Sequence, residues 1–101
     1  MLASFTVVPV DAGESLSGHI ARIIDLVDRS GLEYRMGPME TTVEGEYDEV
    51  MDLVKRCHME MRSVAKRVVT TIKIDDREGA EGRITGKVAS VEEKLGRKVR
   101  R

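Results

Sequence analysis

The stretch RVVTTIKIDDR, residues 67–77, alternates apolar and polar side chains and ends in a cluster of opposite charges. Because side chains on a β-strand point alternately to its two faces, the stretch predicts a strand with two different faces. One face carries Val68, Thr70, Ile72 and Ile74, and the other carries Val69, Thr71, Lys73 and Asp75. A polar, threonine-rich face of this kind either binds a small polar molecule or packs against a similar face.

Length and composition indicate one globular domain over residues 1–101, with 35% charged residues. No apolar run approaches the roughly 20 residues needed to span a bilayer, and residues 1–5 do not begin a secretory signal. The single cysteine, Cys57, cannot form an internal disulfide, which fits a reducing compartment. We therefore expect a cytoplasmic protein without a membrane partner.

Nucleic acid is not an expected partner. The net charge is −1, so no overall positive field attracts phosphate backbones. Single-stranded nucleic acids are commonly bound by stacking bases on exposed aromatic side chains, and this chain has one phenylalanine, two tyrosines and no tryptophan.

Hydrophobic periodicity and turn residues predict strands over residues 3–10, 32–36, 39–45 and 67–77. Helices are predicted from Ser15 or Ser17 to the stop at Gly31, over residues 46–64, and from about residue 84 onward. The order β-α-β-β-α-β predicts the α+β class: a ferredoxin-like sandwich with a four-stranded antiparallel sheet and an extra C-terminal helix.

Each predicted helix has one apolar stripe at three- and four-residue spacing. The stripes are Leu16, Ile20, Ile23, Ile24 and Val27; Val50, Val54, Cys57, Met61 and Val64; and Ile84, Val88, Val91, Leu95 and Val99.

In this fold the first two helices cover the same face of the sheet. The opposite face then holds Ser4, Thr6, Thr42, Glu44, Thr71 and Lys73. Burying even a modestly apolar face yields several kcal/mol at about 25 cal/mol per Å², so we expect a homo-oligomer with sheets packed face to face. The alternative is a monomer whose third helix folds over that face.

No catalytic constellation is present. Cys57 and His58 are adjacent on a predicted helix, where their side chains diverge by about 100°, and Cys57 lies on the apolar stripe as a buried, inert thiol. The Asp75-Asp76-Arg77 cluster suits either a divalent cation or an ion pair at the strand end. The ion pair is favoured, and no metal site is expected.

Three segments resemble the small thiamine-binding protein family: Ser15-Leu16-Ser17, GPMETTVEG (residues 37–45) and residues 67–77. The resemblance spans essentially the whole chain. It implies a ligand-binding protein rather than an enzyme, without a cofactor of its own. It also implies dimers that pair into tetramers and bind thiamine or a related pyrimidine between subunits.

The resemblance also implies which residues bind the ligand. The start of the first helix contributes two serines, the hairpin contributes its central residues, and the last strand contributes residues that lie across from the hairpin or close the pocket. These residues are Ser15, Ser17, Met39, Thr41, Thr42, Glu44, Thr71, Lys73, Asp75 and Arg77. Glu40 departs from the family pattern, which often has a small residue there; its carboxylate either alters the pocket mouth or offers an anion to a cationic ligand.

Thiamine joins a cationic thiazolium to an aminopyrimidine, so its site needs a carboxylate and matched hydrogen-bonding groups. Glu44 is one candidate for the carboxylate; alternatively, Glu44 and Lys73 pair across the sheet. Two other function classes stay open: a regulatory or assembly module that binds another protein, and an enzyme acting through residues 75–77. The chain lacks the paired base and nucleophile that an enzyme of this kind would need.

Overall fold

The computed structural model describes residues 1–10 and 16–101, and its elements follow the predicted order. The strands are β1 (Leu2–Pro9), β2 (Glu33–Met36), β3 (Thr41–Glu44) and β4 (Val68–Asp75). The helices are α1 (Ser17–Arg29), α2 (Tyr47–Arg62) and α3 (Arg83–Leu95). Strand β3 is shorter than predicted at its start, because residues 37–40 form the turn that joins it to β2.

The four strands form one antiparallel sheet in the order β2-β3-β1-β4. Strand β1 is central, so Phe5 lies opposite Thr41 of β3 on one side and Ile72 of β4 on the other. This arrangement confirms the predicted α+β, ferredoxin-like class with an extra C-terminal helix.

Helices α1 and α2 pack on one face of the sheet and enclose the hydrophobic core. The alternation predicted for β1 is visible in its buried residues Ala3, Phe5 and Val7. The core also contains Ile23, Val27, Val43, Val50, Leu53, Val54, Cys57 and Met61. Of the stripe predicted for α1, Ile23 and Val27 are buried, whereas Leu16, Ile20 and Ile24 are only partly buried. The stripe predicted for α2 is buried except for Val64, which is 41% exposed because α2 ends at Arg62.

The helix ends have local causes. Glu46 and Glu49 form a capping box at the start of α2, so each side chain accepts a hydrogen bond from the other's backbone N–H. Gly31 follows α1 with a positive φ of 77°, as predicted for a helix stop. Helix α3 ends in the same way at Gly96, with φ of 75°, so Val99 lies beyond the helix and the predicted third stripe was too long.

The face of the sheet opposite α1 and α2 is called the open face. By register it carries Leu2, Ser4, Thr6 and Val8 of β1, Glu33 and Arg35 of β2, Thr42 and Glu44 of β3, and Val69, Thr71, Lys73 and Asp75 of β4. The sequence was compatible with two ways of covering this face: packing against a second copy of the chain, or folding of the third helix over it. The structure places α3 on this side, against β2 and β3.

Helix α3 covers the open face only in part. None of its residues is buried, and Val91 and Leu95 of its stripe are 53% and 50% exposed. On β4, Val69, Thr71 and Lys73 remain exposed. The half of the open face formed by β4 is therefore accessible.

Candidate functional site

Three polar residues form the middle row of the open face. Ser4 on the central strand lies opposite Thr42 on β3 and opposite Lys73 on β4. Directly opposed residues on neighbouring strands point to the same side of a sheet, about 5 Å apart. The row therefore brings together two hydroxyl groups and one ammonium group from three segments that are far apart in sequence.

Ser4 is the unusual member of this row. Ser4 is only 8% exposed, and its Oγ has no hydrogen-bond partner among residues 1–10 and 16–101. A buried polar group without a partner costs about 1–3 kcal/mol, and such groups are rare in folded proteins. The described chain therefore leaves one buried hydroxyl at the centre of this row without a hydrogen-bond partner.

A cavity of about 420 Å³ lies over this row, and we call it the open-face cavity. This volume falls within the range typical of small-molecule sites, about 300–1,000 Å³. The polar side chains that line the cavity are Ser4, Glu40, Thr42, Lys73, Asp75 and Lys87.

Glu40 reaches the cavity because of the turn that precedes β3. The Gly37 N–H donates to the Glu40 carbonyl oxygen at 2.9 Å, which closes the turn. A Cβ at position 37 would lie 2.9 Å from the same oxygen, closer than a side chain tolerates. Glycine at this position thus fixes where Glu40 enters the site.

Two of the four charges in the cavity neutralise each other. The Lys87 ammonium on α3 donates to the Asp75 carboxylate at the end of β4. That hydrogen bond and the Lys87 charge hold the pKa of the Asp75 carboxyl below its usual range, with smaller contributions from Arg77 and Arg83. The predicted ion pair within the Asp75-Asp76-Arg77 cluster is corrected for Asp75, whose principal partner is Lys87, from a helix 12 residues further along the chain.

The Glu44 side chain accepts hydrogen bonds from the start of α3. Its Oε2 accepts a hydrogen bond from the Arg83 N–H at 2.9 Å, and its Oε1 accepts one from the Ile84 N–H at 3.2 Å. A carboxylate is favourable at this end of a helix, where backbone N–H groups lack partners. The alternative of a Glu44–Lys73 pair is wrong, because β1 lies between the strands that carry them.

A second, smaller cavity of about 140 Å³ lies beside this contact. It is lined by Glu44, Arg77 and Arg83 and shares Asp75 and Lys87 with the open-face cavity. The two cavities form one polar region between β4 and the start of α3.

The remaining predicted site residues lie elsewhere. Thr41 points to the core face, where it is 8% exposed, and with Met39 it lines a separate pocket of about 160 Å³ between the hairpin and α1. Ser17 lines a shallow groove between α1 and β2. Thr71 lies on the open face outside the cavity, and Ser15 falls outside the described residues. The chain therefore brings together Thr42, Lys73 and Asp75, and next to them Glu44 and Arg77.

Sequence reasoning did not single out Ser4 and Lys87 as residues that line the candidate site. Alternation placed Ser4 on the correct face, but its burial depends on neighbours in three dimensions. Lys87 reaches the cavity only because α3 folds back over the sheet, and no local pattern signals that contact.

The described chain gives little support for a reactive thiol or a metal site. Cys57 is fully buried, and burial raises its pKa to about 11, in agreement with the predicted inert thiol. Within residues 1–10 and 16–101, no group of three or more His, Cys, Asp or Glu side chains could hold a metal ion. The helices of these residues are too short or too polar to cross a membrane.

Comparison with known proteins gives a consistent result. Residues 3–92 match the family model described as thiamine-binding protein. A UPF0045 protein of Methanothermobacter thermautotrophicus is 36% identical over 92% of this chain and 97% of its own length. A UPF0045 protein of Mycobacterium bovis is 37% identical over 94% of each chain.

Two solved structures share the fold. A protein from Methanocaldococcus jannaschii superposes with a TM-score of 0.84 at 28% identity, covering 91% of this chain and 95% of that one. A Thermotoga maritima protein, provisionally named a thiamine biosynthesis/salvage protein, gives a TM-score of 0.78 at 37% identity, covering 89% and 96%.

Proposed function

Because this chain belongs to the thiamine-binding protein family, we propose that it binds thiamine or a related aminopyrimidine in the open-face cavity without turning it over. The observation that carries the location is the buried Ser4 hydroxyl, which has no partner in the described chain and lies beneath a cavity of ligand size. A bound ligand would satisfy this group and recover the cost of burying it.

The polar groups of the cavity match the chemistry of thiamine. An aminopyrimidine offers an amino donor and ring-nitrogen acceptors at its edge, and the Ser4 and Thr42 hydroxyls can each donate and accept. The thiazolium carries a positive charge, and Glu40 supplies a carboxylate with no ion-pair partner in the described chain. In this proposal Glu40, rather than Glu44, meets the cation.

In this proposal Glu44 does not contact the ligand directly. It holds the first turn of α3 through two hydrogen bonds, and α3 in turn supplies Lys87 to the wall of the cavity. Glu44 is therefore a positioning residue.

Apolar contact with the rings would come from the hairpin. Met39 is 85% exposed and lines the pocket next to the cavity, and Glu40 belongs to the lining of both. A flexible thioether side chain at this position can adapt to cover a flat ring.

The proposal includes a second copy of the chain. Val8 and Val69 lie opposite each other on the open face and are 38% and 44% exposed, on the half that α3 leaves accessible. A second sheet packed there would bury these valines and close the cavity from solvent. The ligand would then lie between subunits, as the family resemblance implies.

Calorimetric titration and thermal unfolding with thiamine test the function. We expect heat of binding and a rise in Tm that grows with ligand concentration, because a ligand that binds only the folded state stabilises it. Replacing Thr42→Val keeps the shape but removes a hydroxyl, and should weaken binding about fivefold. Thr85→Val, on the exposed side of α3, is the matched control. No heat and no shift in Tm with millimolar thiamine would contradict the proposal.

A further inference from the structure

Two charged side chains of the open-face cavity have no ionic partner among the described residues. Lys87 and Asp75 neutralise each other. Lys73 and Glu40 also line the cavity, and neither forms an ion pair or side-chain hydrogen bond with residues 1–10 or 16–101. As far as the described residues go, the cavity therefore presents one free ammonium group, that of Lys73, and one free carboxylate, that of Glu40.

These two free charges lie on opposite sides of the central strand. Lys73 is on β4 and Glu40 immediately precedes β3, with β1 between them. Neighbouring strands are about 4.8 Å apart, and Glu40 also lies two residues along the strand from Thr42, which is level with Lys73, so the two Cα positions are about 12 Å apart. Different groups of one ligand can therefore meet the two charges.

Thiamine itself carries a charge that complements only one of these two side chains. Its thiazolium complements Glu40, whereas nothing on thiamine is an anion that complements Lys73. A phosphate ester on the hydroxyethyl arm adds about −1.5 to −2 charges and three acceptor oxygens at neutral pH. The ammonium of Lys73 provides three donors for such a group.

We propose that the preferred ligand is a phosphate ester of thiamine, with Lys73 binding the phosphate and Glu40 facing the thiazolium. This inference rests on the proposed function and narrows its ligand class. A charge-assisted contact of this kind should favour the ester over thiamine by about tenfold.

The test is titration with thiamine, thiamine monophosphate and inorganic phosphate. Wild type should bind the monophosphate about ten times more tightly than thiamine. Lys73→Met should reduce this ratio to about one, and Lys73→Arg should restore much of it. Lys55→Met, which removes the same charge from α2 on the other side of the sheet, should leave the ratio intact.

The outcomes separate the two proposals. Binding of thiamine with no preference for the ester, or a preference that survives in Lys73→Met, overturns the inference and leaves the proposed function standing. Inorganic phosphate that binds as tightly as the monophosphate also overturns it, because the site would then recognise an anion alone. Failure of both thiamine and its ester to bind overturns both.

Discussion

The carboxylate of Glu44 accepts a hydrogen bond from the Arg83 backbone N–H at 2.9 Å, although the two residues are 39 positions apart in sequence. Since Ile84 donates to the other oxygen, one side chain of β3 serves the first two N–H groups of α3. This contact places α3 over the β3 side of the open face and leaves the β4 side accessible. The geometry of the candidate site therefore depends on a long-range contact that no segment contains by itself.

Removing this carboxylate should loosen α3. We expect Glu44→Ala to lower the free energy of unfolding by about 1 kcal/mol, in the range measured for lost helix caps. Urea denaturation followed by circular dichroism measures the change. Glu33→Ala is the matched control, because Glu33 lies opposite Glu44 on β2 and is exposed. Its removal relieves a like-charge neighbour and should be neutral or slightly stabilising; equal losses in both variants would contradict the capping role.

Ser4→Ala should weaken ligand binding without lowering the stability of the free protein. In the free protein it removes a buried hydroxyl without a partner, so we expect unchanged or increased stability, by up to about 1–3 kcal/mol. In the same variant thiamine should bind several-fold more weakly, because the ligand loses a hydrogen bond. Thermal unfolding with and without ligand measures both effects. A variant that is destabilised when free would show that the hydroxyl has a structural role instead.

The Asp75–Lys87 pair should make stability depend on pH in the acid range. The folded-state pKa of Asp75 is lowered, mainly by the hydrogen bond from Lys87, so the carboxylate contributes stability above its unfolded-state pKa of about 3.9. This contribution is lost as pH falls through the folded-state value. We expect Asp75→Asn to be less stable than wild type at neutral pH, with a difference that vanishes in acid. A difference that persists below the folded-state pKa would exclude the charge as its cause.

Self-association should depend on the accessible half of the open face. Val69→Lys places a charge where the proposed second sheet packs, and should shift the protein from oligomer to monomer in size-exclusion chromatography with light scattering. Val64→Lys is the matched control, because Val64 is similarly exposed, at 41% against 44%, but lies just beyond α2. Retention of the oligomer in the Val69 variant would rule out this face as the interface.

Periodicity in the sequence was sufficient to predict the sheet and the two covering helices, because alternation and three- to four-residue spacing are local properties. Thus the apolar-stripe positions Ile23 and Val27, which are buried, and the open-face position of Lys73 were correct. The site was predicted only in part, because its composition depends on tertiary contacts. Thr41 and Thr42 are neighbours in sequence but face opposite sides of the sheet, and the family motif does not show which of them a ligand meets.

No side chain of α3 is buried, and among the described residues its polar contacts with the sheet are the Glu44 hydrogen bonds and the Asp75–Lys87 pair. The opening of α3 should therefore cost far less free energy than disruption of the sheet. Amide hydrogens of α3 should exchange with deuterium long before those of β1, and a ligand seated beneath the helix should slow that exchange. The C-terminal helix would then serve as a movable cover over the sheet.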